Sequence, residues 1–208
     1  MRHFFRVGEV LPHLKTTCLN SALLSILCLV SMFSLSAQMP RKDSGADGPS
    51  HTDPVMLGFR VPEEFWSIQF TVFENGTYKK QTLERYRGKP LILDFWATWC
   101  TSCMPNFPKL DRFKERYGDD INFLLVNSYD LDTAKVVDIF VGEKYAKYRT
   151  KTPSILFDSY LKQLFPHQSV PIFIWLDDFG RLGATSISDF LNENQIEVLT
   201  NKRKGRKK

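Results

Sequence analysis

The most constraining stretch of this chain is Leu91-Ile92-Leu93-Asp94-Phe95-Trp96, an apolar run interrupted by one carboxylate. A strand with one wet face alternates polar and apolar residues, whereas a strand covered on both faces reads as a continuous hydrophobic run. The run therefore predicts a central buried strand, and with it a sheet carrying helices on its faces. Cys100-Thr101-Ser102-Cys103 follows almost at once. Beyond it Phe107, Leu110, Phe113 and Tyr117 recur at helical spacing as far as Gly118, which marks a stop. The two cysteines thus stand between the end of a buried strand and a helix.

The remaining pattern completes an α/β domain with a mixed sheet. Phe65 to Phe73 alternates and is rich in aromatic and β-branched residues, and Asn75-Gly76 separates it from Thr77 to Gln81. Asn-Gly between two such runs predicts a hairpin, because both central residues must accept positive φ. Ile121 to Val126 reads as a second buried strand, and 132–149 as a helix with Val136, Val137, Phe140, Val141 and Tyr145 inward. Ile155 to Phe157 is a short strand, Tyr160 to Phe165 a short helix, and Val170 to Leu176 a strand. Asp178 to Arg181 turns into a last strand, Leu182 to Ile187. Asn192 is placed to cap a final helix near Gln195.

The two ends differ from this body. Arg2, Arg6 and Lys15 precede an apolar run from Leu19 to Leu35 that closes on Ser34-Leu35-Ser36-Ala37-Gln38. Residues 1–37 are read as a secretory signal cut after Ala37. The alternative is an uncleaved anchor that leaves the domain outside the cytoplasm, since the run approaches the roughly 20 residues of a membrane span. Residues 38–57, rich in Pro, Gly, Ser and Asp at their start, are expected to be a flexible linker. The domain is assigned to 58–200 and a basic, disordered tail to 201–208.

The formal net charge of +5 comes from the ends. Residues 202–208 hold six Lys or Arg, and between residues 38 and 201 acidic groups outnumber basic ones, 22 to 19. A nucleic-acid-binding domain should carry its basic stripe on folded elements, so that class is set aside.

Cys18 and Cys28 lie within the signal, so the mature chain keeps Cys100 and Cys103 alone. Two cysteines three positions apart cannot staple a long loop, so they are read as chemical. Zinc needs four ligands, and no second Cys-x-x-Cys or His-x-x-x-His accompanies them. No metal and no cofactor is assigned. A helix N-terminus favours a thiolate. Cys100 is therefore expected to be the exposed nucleophile, and Cys103 the buried partner that resolves a mixed disulfide.

Trp96-Ala97-Thr98-Trp99-Cys100-Thr101-Ser102-Cys103, with Asp94-Phe95 before it, resembles the active-site segment of thioredoxins. Arg87-Gly88-Lys89-Pro90 upstream and Phe107-Pro108-Lys109-Leu110 downstream make it most similar to the exported TlpA/ResA-like thiol–disulfide oxidoreductases. The resemblance covers about 58–200. It implies a thioredoxin fold, a central mixed β-sheet flanked by helices with an extra N-terminal hairpin at 65–81. It further implies that Asp94 is the buried carboxylate beneath the second cysteine, placed to take its proton. Pro171 matches the family's cis-proline facing the cysteines. The backbone at Val170 would pair with an extended substrate, and Trp99 would form a contact surface at the rim. Trp96 is assigned to the core, and His167 to a solvent-facing loop.

Three positions depart from the family pattern. Ser102 stands where proline is common, Asn106 where exported members often have Glu, and Pro105 adds a second proline to a helix that already holds Pro108. The prolines are expected to loosen the first helical turns. The couple is accordingly expected to be more oxidising than thioredoxin's roughly −270 mV. The function implied is an exported oxidoreductase, a reductase of disulfides in cysteine-containing protein substrates. It would exchange electrons with a further donor or acceptor, membrane-bound in one reading. The alternative is a redox-silent thioredoxin-like binding module with a permanently bridged pair.

Overall fold

A computed structural model of the protein describes residues 53–129 and 133–206. The signal, all of the linker before residue 53 and the first residues of the helix expected at 132–149 lie outside the described residues. Residues from Ser50 onward form one compact unit. Its centre is a seven-stranded mixed sheet in the order β2-β1-β5-β4-β3-β6-β7. The strands are β1 Phe70–Glu74, β2 Thr77–Gln81, β3 Leu91–Trp96, β4 Asn122–Asn127, β5 Ser154–Leu156, β6 Ile172–Leu176 and β7 Leu182–Ser186. β3, β4 and β5 run parallel, β6 runs antiparallel beside β3, and β7 pairs antiparallel with β6 at the edge.

Strand β3 lies between β4 and β6 with all six side chains buried. Successive side chains point to opposite faces, and each face has its own core. On one, Ile92 and Trp96 meet Phe107, Leu110 and Phe113 of helix α2 (Asn106–Tyr117). Val136, Ile139 and Phe140 of α3 (Thr133–Val141) and Ile196 of α5 (Glu193–Arg206) complete that face. On the other, Leu91, Leu93 and Phe95 meet Phe65 and Trp66 of α1 (Glu64–Ser67) and Leu161 and Leu164 of α4 (Tyr160–Leu164). Both faces are closed by elements of the same unit, so residues 50–208 hold a complete core of their own.

The hairpin turns at Asn75 and Gly76, both with positive φ (53° and 78°), as the Asn-Gly signal requires. Its first strand begins at Phe70. Phe65 and Trp66 belong to α1 instead, where Pro62 and the acidic Glu63 and Glu64 supply a helix start. Gly142 ends α3 early, and residues Glu143–Tyr148 continue as 3-10 turns. Val141 is exposed rather than inward. Asn192 Oδ1 accepts the Gln195 amide at 3.1 Å, the expected cap on α5.

Two boundaries move. Val55 N–H donates to Leu164 O (2.9 Å) and Val55 packs on the second core, so the chain is tied to the domain already at Val55, within the expected linker. Gly58 N–H donates to Leu182 O and Leu182 N–H to Phe59 O, which lays residues 58–60 along the start of edge strand β7. At the other end α5 continues through Arg206, so 201–206 is helical and not a disordered tail. Lys and Arg are good helix formers, and positive charge near a helix C-terminus is favourable.

Candidate active site

β3 delivers the site. It ends at Trp96, and the chain then folds back in short turns before α2 begins at Asn106. The turns are stitched by i→i+3 bonds: Cys100 N–H to Ala97 O (3.0 Å), Cys103 N–H to Cys100 O (3.2 Å), Asn106 N–H to Cys103 O (3.0 Å) and Phe107 N–H to Met104 O (3.1 Å). Cys100 and Cys103 are joined by a disulfide within this segment, their Cα atoms 5.4 Å apart.

The cysteines therefore precede the α-helix instead of opening it, because Pro105 occupies its N-cap and Pro108 its third position. Helix N-terminal N–H groups have no intrahelical partner, so neither proline removes a helical bond. The expected loosening of α2 is absent, and with it one premise for a more oxidising couple.

Cys103 is fully buried, and Cys100 is only 3 % exposed. The expected exposed nucleophile is thus nearly covered in the bridged form, since its sulfur turns inward to bond Cys103. The surface around it is open, with Thr101 and Ser102 exposed and Ser102 Oγ 3.6 Å from Cys100 Sγ.

Asp94 is completely buried, and neither carboxylate oxygen has a hydrogen-bond partner among the described residues. Burial without a compensating cation pushes its pKa well above the ordinary carboxylate range. By strand alternation Asp94 faces the same side as Ile92 and Trp96, the side whose core contains both cysteines, Met104 and Phe107. Asp94 also pairs in register with Phe173 of β6. Two residues before Phe173 lies Pro171, and the Val170–Pro171 peptide is cis. Val170 packs against both cores. The carboxyl end of β3 and the amino end of β6 thus bring the cysteine turn, Asp94 and Val170–Pro171 to one pole of the sheet.

Trp99 is 57 % exposed at that pole, and Trp96 is buried, its Nε1 donating to Ser154 Oγ at 3.0 Å. Trp99 does not stand alone. Tyr129 packs edge-on against it (centroids 5.8 Å), Lys162 Nζ sits 3.7 Å from the Tyr129 ring centre, and His167 lies edge-on to Tyr129 (5.6 Å) and Phe95 (4.6 Å).

His167 is consequently half-buried instead of facing solvent. Its Nδ1 lies 2.7 Å from Phe165 O, its Nε2 is buried without a hydrogen-bond partner among the described residues, and burial lowers its pKa. Tyr129 escaped the sequence reading. It follows β4, and sites gather at the carboxyl ends of parallel strands, a rule that points to it once the strand order is known. Asn106 is buried and donates to Ser188 Oγ at 2.9 Å, tying the start of α2 to the segment after β7.

A half-buried carboxylate, Asp158, lies close by just after β5. Its Oδ2 accepts the Leu161 amide at 2.6 Å, yet burial outweighs the amides and pushes its pKa up to about 6. A carboxyl whose folded pKa is raised binds its proton more tightly when folded. The stability it confers is full below about 3.8 and is lost as pH rises through about 6. In Asp158→Asn this fall should vanish from denaturant midpoints measured between pH 4 and 6, leaving only the part due to Asp94.

Residues 67–163 match the Redoxin family. A thiol:disulfide interchange protein TxlA homolog from Synechocystis sp. is 29% identical over 54% of this chain and 46% of that protein. The thiol:disulfide interchange protein DsbE of Pasteurella multocida is 30% identical over 44% of this chain and 47% of that one. The chain thus spans about half the length of these relatives. Among solved structures, the pneumococcal exposed lipoprotein thioredoxin Etrx1 from Streptococcus pneumoniae superimposes with a TM-score of 0.52. It is 25% identical, and the match covers 65% of this chain and 99% of that one. The sheet order is that of a thioredoxin-like fold, and the matched region with its bridged Cys-x-x-Cys pair makes this chain similar to the Redoxin family and to thiol:disulfide interchange proteins.

Proposed function

We propose that this protein is an exported member of the TlpA/ResA-like branch that reduces disulfides in other proteins. The observation that carries the reading is the Cys100–Cys103 bridge at the carboxyl end of a buried central strand, one turn from open surface.

In the reduced form the Cys100 thiolate attacks one sulfur of a substrate disulfide. That bond breaks, one substrate thiolate leaves, and a mixed disulfide forms. Cys103 then attacks Cys100 Sγ, releasing the second substrate thiolate and closing the bridge. Two electrons pass to the substrate and two protons follow. Buried Cys103 must lose a proton to act, and Asp94 is the acceptor on its side of the sheet. Its raised pKa brings it towards that of a thiol, where proton sharing is most effective. The backbone at Val170 holds the substrate extended beside Pro171, and Trp99 with Tyr129 offers an aromatic rim. A separate donor returns the electrons.

Export rests on residues 1–37 and on likeness to Etrx1, described as an exposed lipoprotein.

The test begins with the reduced protein at neutral pH. One equivalent of iodoacetamide should attach, at Cys100, and the reduced protein should cleave the disulfides of insulin stoichiometrically. Equal labelling of both cysteines would contradict the assigned roles. A bridge that equilibration with reduced glutathione cannot open would favour the redox-silent module.

A further inference from the structure

The passage from β3 into α2 leaves the helix little to offer a charged sulfur. A helix N-terminus stabilises an anion through N–H groups that have no intrahelical partner. Here Pro105 and Pro108 have no N–H, and the two amides between them are spent on the cysteine turn. Asn106 N–H donates to Cys103 O at 3.0 Å, and Phe107 N–H to Met104 O at 3.1 Å. Cys103 N–H is engaged as well, by Cys100 O at 3.2 Å.

A side chain stands where these amides fall short. Ser102 Oγ lies 3.6 Å from Cys100 Sγ, and Ser102 is exposed on the surface of the turn. A serine hydroxyl rotates to suit its partner and can donate or accept. A neutral sulfur is a weak acceptor, so the contact contributes little while the bridge is closed. A thiolate puts a full charge on the same atom, and hydrogen bonds to ionised acceptors are roughly twice as strong as neutral ones. The Cys103 N–H to Cys100 O bond spans Ser102 and involves no sulfur, so opening the bridge does not remove the bond that sets the hydroxyl beside Sγ.

We propose, on the reading that Cys100 is the attacking thiol, that Ser102 donates a hydrogen bond to its thiolate in the reduced protein. The bond is weak in the bridged state and strong in the reduced one, so it stabilises the reduced state selectively. Ser102 thereby raises the thiolate fraction of Cys100 at neutral pH. It also draws the couple towards the oxidising side by a route that needs no loosening of α2.

The test follows the reduced unit 50–208 through iodoacetamide alkylation of Cys100 across pH. In Ser102→Ala the pH of half-maximal rate should rise by about 0.7 unit, small for a hydrogen bond to a charged group because water competes at an exposed hydroxyl. Equilibration with glutathione above both of these pH values should favour the bridged form of Ser102→Ala roughly fivefold more than that of wild type, a potential about 20 mV more negative. Ser102→Thr keeps a hydroxyl and should return both readings to wild type. Thr101→Ala removes the neighbouring hydroxyl and should move neither. Asp94 is present in every variant, so its own titration is common to all of them.

An unmoved alkylation profile in Ser102→Ala, a potential shifted the other way, or no recovery in Ser102→Thr would overturn the proposal. So would an equal shift in Thr101→Ala, which would assign the effect to the turn as a whole. Alkylation of the wild type at Cys103 instead of Cys100 would overturn the assignment of the attacking thiol itself, so the two failures are told apart.

Discussion

Replacing Cys103 with serine is expected to stop turnover and leave the chain covalently attached to its substrate through Cys100. Serine keeps the volume of the site but cannot act as the second thiolate, so the mixed disulfide has no internal nucleophile to resolve it. The adduct then persists until an external thiol attacks it. Non-reducing electrophoresis and mass spectrometry should show a stable adduct, one chain to one substrate. Cys100→Ser should form none, since the remaining thiol is out of a partner's reach. An adduct from Cys100→Ser and none from Cys103→Ser would reverse the assigned roles.

Asp94→Asn is expected to slow resolution of the mixed disulfide by about 10²-fold and leave its formation close to wild type, the range of a lost general base. The same substitution should raise stability at neutral pH. A carboxyl whose folded pKa is raised stabilises the fold fully below its unfolded pKa of about 3.8, and that contribution is lost as pH rises through the folded value. The amide does not ionise, so the advantage of Asp94→Asn over wild type should grow with pH from about 4 upward. Rapid-quench separation of the two chemical steps reads the first effect, and denaturant titrations across pH the second. A merely structural Asp94 would change stability and leave the ratio of the two steps unmoved.

Legibility in the sequence followed how local the determining physics is. β3 was readable because burial on both faces leaves an unbroken apolar run, and the Asn75-Gly76 turn because few other residues accept positive φ twice. The Asn192 cap was readable for a similar reason, a short polar side chain just ahead of a helix. Phe65 and Trp66 misled, since an aromatic pair suits a strand or a buried helix, and the decision lay with Pro62-Glu63-Glu64 upstream.

The start of α2 was shifted by Pro105, whose suitability for a helix N-terminus outweighed its reputation as a breaker. At the site, Asp94 and the cysteine pair were legible as chemistry, being anomalous in their surroundings. The near-complete covering of Cys100 and the Trp99–Tyr129–His167 contacts depend on residues brought together from β3, β4 and the segment before β6. No spacing along the chain encodes that meeting.

The cysteine turn between Trp96 and Asn106 is held by short bonds, the first two closing wholly between β3 and α2 and the last two meeting the helix at its unpaired first N–H groups. None of them is a rung of the sheet ladder. Opening the bridge therefore asks nothing of β3 and little of α2. The molecule resembles a capacitor whose plates stay fixed while charge enters and leaves. A partner should therefore meet nearly the same outline before and after exchange, and the passage of two electrons need not wait on refolding.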